Sequence, residues 1–285
     1  MTDSKETLFE KYLSPLFQHV LLDQNALMAY YRGKDWEAES DRLRNPTIQY
    51  PDYYESQNFH GIKGGYLNLQ AALTYDAVTQ YFLPPNEAWV RQDLLRHIRC
   101  QPRRIVDLGC GTGSTTLLLK QAFPDAEVIG IDLSPYMLVA AADKAQAAQL
   151  DIRWIHGNAE QVPFPDNSVD LVTASLLFHE TPLAATQAIL KEALRLLCSG
   201  GEMLVLDGSQ STLRNTLWLT QIFEEPYIQD YAAGSLDAWM GAAGFGDIRT
   251  EPVWMLHQVT RGLKPLSYQR IQFETPTIAA EWVPG

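Results

Sequence analysis

Two carboxylates and a run of glycines carry the first chemistry legible in this chain of 285 residues. Gly109, Gly111 and Gly113 alternate in Leu108-Gly-Cys-Gly-Thr-Gly113, a spacing that lets backbone approach a nucleotide-like ligand with no side chain in the way. Asp132 follows about 20 residues later, where open α/β folds place a carboxylate that accepts hydrogen bonds from ribose hydroxyls. Asp107 lies inside an apolar run just before the first glycine. Burial there is costly unless loop amides or a ligand amine hydrogen-bond to it. His179 and Glu180 end a second apolar run, Val169 to Phe178. An imidazole titrates near neutrality, so His179 is the first candidate for a general base, with His60 and Glu180 after it.

These groups need a scaffold that gathers strand ends. Arg104 to Leu108 reads as a buried strand, and Ser114 to Phe123 as a helix with Leu117, Leu118, Leu119 and Phe123 on its apolar face. Glu127 to Ile131 is a second strand, closed by Asp132. The nearly unbroken apolar run of 169–178 suits a strand buried on both faces of a parallel sheet. Leu183 to Leu197 has helical spacing, Ser199-Gly200-Gly201 breaks it, and Glu202 to Asp207 is a further strand ending in an acid. A helix over Ser235 to Phe245 and strands near Ile248 to Trp254 and His257 to Leu263 follow. Alternating strands and helices predict an α/β fold that binds ligands outside the carboxyl ends of its strands.

Two segments stand outside that alternation. Residues 1–95 form an N-terminal region in which Glu6 to Tyr31 has helical spacing and Tyr50 to Tyr66 is rich in aromatics and turn residues. Tyr53, Tyr54, Phe59, His60 and Tyr66 are candidates for a lid over a bound ligand; the alternative is an extension packed against the sheet. Residues 209–234 exceed a simple connection. Their Trp218, Phe223, Glu224, Glu225, Tyr227 and Tyr231 suit a cap over an aromatic or apolar acceptor.

The glycine and Asp132 spacing fits either a nicotinamide dinucleotide or S-adenosylmethionine, since both carry an adenosine. Ser114 occupies the place of the dinucleotide fingerprint's third glycine, and the one Tyr-x-x-x-Lys pair, Tyr30 and Lys34, precedes the loop. Both features weigh against a dehydrogenase. The segments Val106-Asp-Leu-Gly-Cys-Gly-Thr-Gly113, Ile131-Asp-Leu-Ser134, Gly157-Asn-Ala-Glu160 with Pro163-Phe164, and Ser168-Val-Asp-Leu-Val-Thr-Ala-Ser175 resemble the successive motifs of class I S-adenosylmethionine-dependent methyltransferases. The resemblance covers roughly residues 100–210 and is nearest to the small-molecule branch that includes quinone and natural-product methyltransferases.

That resemblance implies a Rossmann-like α/β fold with a seven-stranded, mostly parallel sheet and helices on both faces, the methyltransferase domain running over 96–285. It implies that Asp107 and the loop Gly109, Cys110, Gly111 and Gly113 hold the methionine part of the cofactor, and that Asp132 holds the ribose. Leu133 and Met137 are expected to flank the adenine, and Asn158, Ala159 and Glu160 to lie at its edge. Asn158 stands where the family often has Asp, and an amide oxygen can still accept from the adenine amino group. Ser175 and the lid residue Tyr66 complete the expected cofactor-binding set.

Composition bounds the partners. A formal net charge of −12 disfavours a phosphate-backbone substrate, so a small-molecule methyl acceptor is expected and nucleic acid is not. The local basic run Arg91, Arg96, Arg99, Arg103 and Arg104 reads as a solvated helix face. No apolar stretch approaches the roughly 18 residues of a membrane span, Met1 to Glu6 lacks a signal peptide's apolar core, and Cys100, Cys110 and Cys198 show no metal spacing. The expectation is a cytoplasmic, metal-independent enzyme that turns S-adenosylmethionine into S-adenosylhomocysteine. A binding module that keeps the pocket and transfers nothing, and a nicotinamide oxidoreductase, are the alternatives.

Overall fold

A computed structural model describes residues 23–59, 62, 64–82, 86–216 and 226–266. Seven strands form one sheet in the order β3-β2-β1-β4-β5-β7-β6. They are β1 Arg104–Leu108, β2 Glu127–Asp132, β3 Arg153–His156, β4 Val169–Ser175, β5 Leu197–Gly208, β6 Gly246–Val253 and β7 His257–Leu263. β1 to β5 run parallel, while β7 is antiparallel to both β5 and β6. The expected α/β class and mostly parallel seven-stranded sheet are what the chain forms. Strand order reverses between β1 and β4, so the loops after these two strands diverge and leave a crevice at their carboxyl ends.

The helices are α1 Gln24–Arg32, α2 Trp36–Leu43, α3 Asp52–Glu55, α4 Leu69–Phe82, α5 Glu87–Arg96, α6 Ser114–Ala122, α7 Pro135–Ala147, α8 Leu183–Leu196, α9 Gln210–Asn215, α10 Ile228–Ala233 and α11 Leu236–Ala243. Side chains alternate across the strands and build a core on each face. Val106, Leu108, Ile129, Val172 and Val205 pack with Ile189, Leu190 and Met240 on one face. Ile105, Val128, Leu171 and Leu204 pack with Val90, Leu94 and Leu119 on the other. A third cluster joins Phe59, Tyr66, Ala71, Ala72 and Met137, tying the N-terminal region to α7.

Several local expectations are corrected. The helix before β5 ends at Leu196 and the strand begins at once. Gly200 and Gly201 instead sit within an irregularity, since Val169 pairs with Leu197 but Leu171 with Glu202. Gly200 has φ +79°, which glycine adopts without strain. Arg91 is no solvated residue. It is buried, pairs with Glu87 at 2.8 Å and donates to Thr115 Oγ1 at 2.8 Å. Tyr231 is core as well, its hydroxyl donating to the Gly208 carbonyl at 2.9 Å. Trp218, Phe223, Glu224 and Glu225 of the expected cap, like Glu6 to Val20 of the first helical pattern, lie outside the described residues.

Candidate functional site

A cavity opens at the crevice between the carboxyl ends of β1, β2 and β4. It is lined by Gly109, Asp132 and Leu133, by Asn158 and Ala159, and by Leu177, Glu180, Thr181 and Ile189. Tyr53, Tyr54 and Phe59 close it from the N-terminal region. Residues expected at a cofactor and an aromatic wall therefore meet at one place. In the aromatic segment, Phe59 stacks on Tyr66 with centroids 5.2 Å apart and also lines the cavity.

Asp132 holds backbone at two points. Its Oδ2 accepts the Gly111 amide and its Oδ1 the Ser134 amide, each at 2.8 Å. Burial pushes its carboxyl up to about 6, the two amide bonds oppose that, and Glu180 and Asp107 add to it. Ser134 caps α7 and donates to the Tyr66 carbonyl at 2.6 Å. The helix cap is thus Ser134, which leaves Asp132 at the mouth of the loop. Asn158 shapes a turn through its side chain, Oδ1 accepting the Glu160 amide at 2.9 Å.

The three loop glycines differ in what they permit. At Gly111, φ is +52° and nothing lies within 4 Å of an added Cβ, so this is backbone open to a ligand. At Gly109 an added Cβ would sit 2.7 Å from the Leu177 side chain, and at Gly113 it would sit 2.6 Å from the Trp154 ring. Gly109 lets Leu177 close across the switch point, while Gly113 is a helix-to-sheet packing residue.

Other expected residues stand apart from the cavity. Asp107 is buried beneath the loop, where its partners are the hydroxyls of Thr116 at 2.6 Å and Thr173 at 2.7 Å. The loop amides anticipated for it are not among these bonds. Burial raises its carboxyl, and the two hydroxyls with Arg91 oppose the rise. Burial likewise pushes the Cys110 thiol well up, which suits packing and not nucleophilic attack. Met137 belongs to the Phe59 and Tyr66 cluster, Ser175 accepts from Thr115 at 3.1 Å, and Glu160 accepts the Tyr53 hydroxyl at 3.0 Å. Tyr66 reaches the site indirectly, donating to Glu180 Oε1 at 2.5 Å. His60 lies outside the described residues.

His179 acquires a partner that sequence reasoning left unassigned. Asp207, at the end of β5 and fully buried, accepts from His179 Nδ1 at 2.6 Å. The same carboxylate takes the Phe178 amide at 2.9 Å and the Gly208 amide at 2.7 Å, so its position is set by backbone following both strands. An acceptor at Nδ1 fixes the proton there and turns Nε2 into the basic nitrogen. Nε2 lies 3.8 Å from Oε1 of Glu180, which lines the cavity. The backbone that delivers this pair is unusual: Leu176 takes φ +58° at the end of β4, a conformation costly for a branched side chain and concentrated at functional sites. The only signal for Asp207 in the sequence is an acid at a strand end.

The donor set fits S-adenosylmethionine. Gly111 presents open backbone, Asp132 offers an acceptor in a half-buried setting that hydroxyl donors improve, and Asp132 with Glu180 gives a negative cavity that suits a sulfonium. Tyr30 and Lys34, by contrast, both bind Asp143 on α7, and neither lines the cavity. Among the described residues no group of three or more His, Cys, Asp or Glu is placed to hold a metal, and no helix is long and apolar enough to cross a membrane.

Comparison with known proteins agrees with this geometry. A family described as "Methyltransferase domain" matches residues 105–201. The demethylmenaquinone methyltransferase of Thermus thermophilus is 39% identical over 119 residues, which is 42% of this chain and 53% of that protein. The protein of the same name from Deinococcus radiodurans is 35% identical over 134 residues, or 47% of this chain and 55% of its own length. The chain spans about half the length of these curated relatives. A solved SAM-dependent methyltransferase from Aquifex aeolicus shares the fold at TM-score 0.52 and 18% identity, covering 69% of this chain and 98% of that one. So does the [4+2]-cyclase SpnF, at TM-score 0.50 and 19% identity over 63% of this chain and 81% of that one, a reminder that fold alone does not fix the reaction. The motifs, the switch-point cavity and these matches together make the matched segment similar to the class I S-adenosylmethionine-dependent methyltransferases.

Proposed function

We propose that this protein transfers a methyl group from S-adenosylmethionine to a small aromatic or apolar acceptor. The observation that carries the reading is one cavity lined both by residues expected at a cofactor, Gly109, Asp132 and Asn158, and by aromatic and apolar ones, Tyr53, Tyr54, Phe59, Leu177 and Ile189. Among its described lining residues there is no Lys or Arg, while Asp132 and Glu180 are both present. An anionic acceptor is repelled there; an uncharged ring is not.

When bound, the cofactor supplies an electrophilic methyl on sulfur. The chain's own work is alignment and proton handling. Tyr53, Tyr54 and Phe59 exclude water and hold the acceptor, so that its nucleophile faces the methyl in line. For a hydroxyl acceptor, His179 Nε2 takes the proton as the oxygen's electron pair forms the new bond, and Asp207 stabilises the resulting imidazolium through Nδ1. Glu180, held by the Tyr66 hydroxyl, lines the cavity with its Oε1 3.8 Å from His179 Nε2. A carbon nucleophile on an activated ring releases its proton later and asks less of the same base.

The test is incubation with methyl-labelled S-adenosylmethionine and a panel of phenols, hydroquinones and amines, with demethylmenaquinone first because the matched relatives carry that name. Label in an uncharged aromatic, with S-adenosylhomocysteine formed in step, is the expected result. Cofactor binding by calorimetry with no S-adenosylhomocysteine formed across the panel would instead make the protein a binding module.

A further inference from the structure

We infer that Asp76, on the N-terminal helix α4, is a positioning residue for the cofactor loop, so that residues ahead of the methyltransferase domain set cofactor affinity. The inference rests on the cofactor reading of Gly109 to Gly113. Thr112, between the open Gly111 and the packed Gly113, is buried, and its hydroxyl donates to Asp76 Oδ1. The second oxygen of Asp76 receives Lys144 Nζ of α7 at 2.8 Å, and that ammonium also donates to Ser114 Oγ at 3.0 Å and Thr112 Oγ1 at 3.3 Å. One carboxylate and one ammonium therefore bracket the turn from loop into α6.

The loop is held from two opposite sides. Asp132 takes the Gly111 amide, the Cys110 amide bonds the Ile131 carbonyl at 3.0 Å, and Asp76 takes the Thr112 side chain. Cys110, Gly111 and Thr112 are thus fixed by β2 and by α4, while the Cα of Gly111 has open space beside it. Preorganised backbone binds a ligand better because less ordering remains to be done on binding.

The same turn of α4 reaches the cavity wall. Tyr75, next to Asp76, lies edge-on to Tyr66 with centroids 6.0 Å apart, and Tyr66 holds Glu180. Docking of α4 thereby sets the glycine loop and the aromatic wall together. The Asp76 to Lys144 ion pair is itself partly exposed and contributes little to stability; its role is to orient the carboxylate toward Thr112.

The experiment measures S-adenosylmethionine and S-adenosylhomocysteine binding by calorimetry for the full chain and for Asp76→Ala, Thr112→Val and Thr112→Ser. Thermal unfolding without cofactor and turnover at saturating cofactor are recorded alongside. Asp76→Ala and Thr112→Val are expected to raise Kd about tenfold, the equivalent of about 1.4 kcal/mol, with turnover at saturation far less affected. Thr112→Ser, which restores the hydroxyl, is expected to return Kd to within about twofold of the parent. Thr112→Val leaves the ion pair in place and so tests the same contact if Asp76→Ala fails to fold. Unchanged Kd in both variants, or no rescue by Ser, would overturn the inference alone. A parent protein that does not bind either ligand would overturn the cofactor reading on which it rests.

Discussion

Replacing Asp132 by Asn separates what its charge costs the fold from what it does for the cofactor. The folded carboxyl titrates at about 6, chiefly through burial, against about 3.9 in an unfolded chain. An acid with a raised folded pKa keeps its proton in the folded state at pH values where the unfolded chain has lost it. Its cost to folding is therefore absent below about pH 4 and complete above about pH 6. A rise of this size corresponds to at most about 3 kcal/mol at neutral pH. Asn, like the protonated acid, keeps one carbonyl acceptor for the two amides of Gly111 and Ser134, so it stands in for the uncharged form, and the discriminating quantity is the pH dependence. Going from about pH 4.5 to about pH 7.5, Asp132→Asn should gain about 2 kcal/mol of stability relative to the parent. Urea unfolding of both proteins without cofactor at the two pH values measures this, and other titrating groups drop out of the difference. Calorimetry should show cofactor binding weakened by about 1.5–3 kcal/mol in the same variant. A pH-independent stability difference would refute the burial argument, and unchanged binding would refute the ribose assignment.

His179→Ala should slow turnover about a hundred- to ten-thousand-fold while leaving cofactor Kd nearly intact, with Asp207→Asn falling in the same direction; equal loss of binding and turnover would mark the pair as scaffold. Gly113→Ala should destabilise the fold by about 2–4 kcal/mol, combining a left-handed alanine with overpacking against Trp154, as read from urea midpoints. His257 is buried with its Nδ1 lacking a partner among the described residues, and burial depresses its pKa to about 4. A base with a lowered folded pKa contributes stability that is complete above its unfolded value near 6.5 and is lost as pH falls toward 4, here up to about 3 kcal/mol. His257→Leu should flatten the pH dependence of unfolding over that window, and an unaltered slope would contradict it.

The parts legible in the sequence were those governed by local pattern. β1, β2, β4 and the last two strands follow from apolar runs, and the glycine loop and Asp132 follow from spacing at strand ends. β3 was not singled out, because Arg153-Trp-Ile-His156 is short and polar at both ends. What local pattern does not carry is pairing at long range. The partners of Asp107 are Thr116 and Thr173, the latter 66 residues away, and the partner of His179 is Asp207 across the β4 and β5 pair. Arg91 looked like surface because a basic run on a helix normally is. Its Glu87 partner is one helical turn away and readable in the sequence, but only the fold shows Thr115, 24 residues on, and the burial of the pair. The roles of individual glycines were equally hidden, since Gly111 and Gly113 differ in what stands above them and not in their own conformation.

The two margins of the sheet bear on how copies of this protein meet. β3, at one margin, has only four residues. β6, at the other, is largely exposed and carries Arg249, Glu251 and Pro252, with Asp247 paired to Arg249 and Arg261. A strand with a proline lacks a donor, and charged side chains resist the approach of a second strand. Continuation of the sheet from one molecule into the next is thereby blocked at β6 and has little length to work with at β3. Among the described residues, both margins of the sheet therefore resist the edge-to-edge pairing that leads to fibrous aggregates.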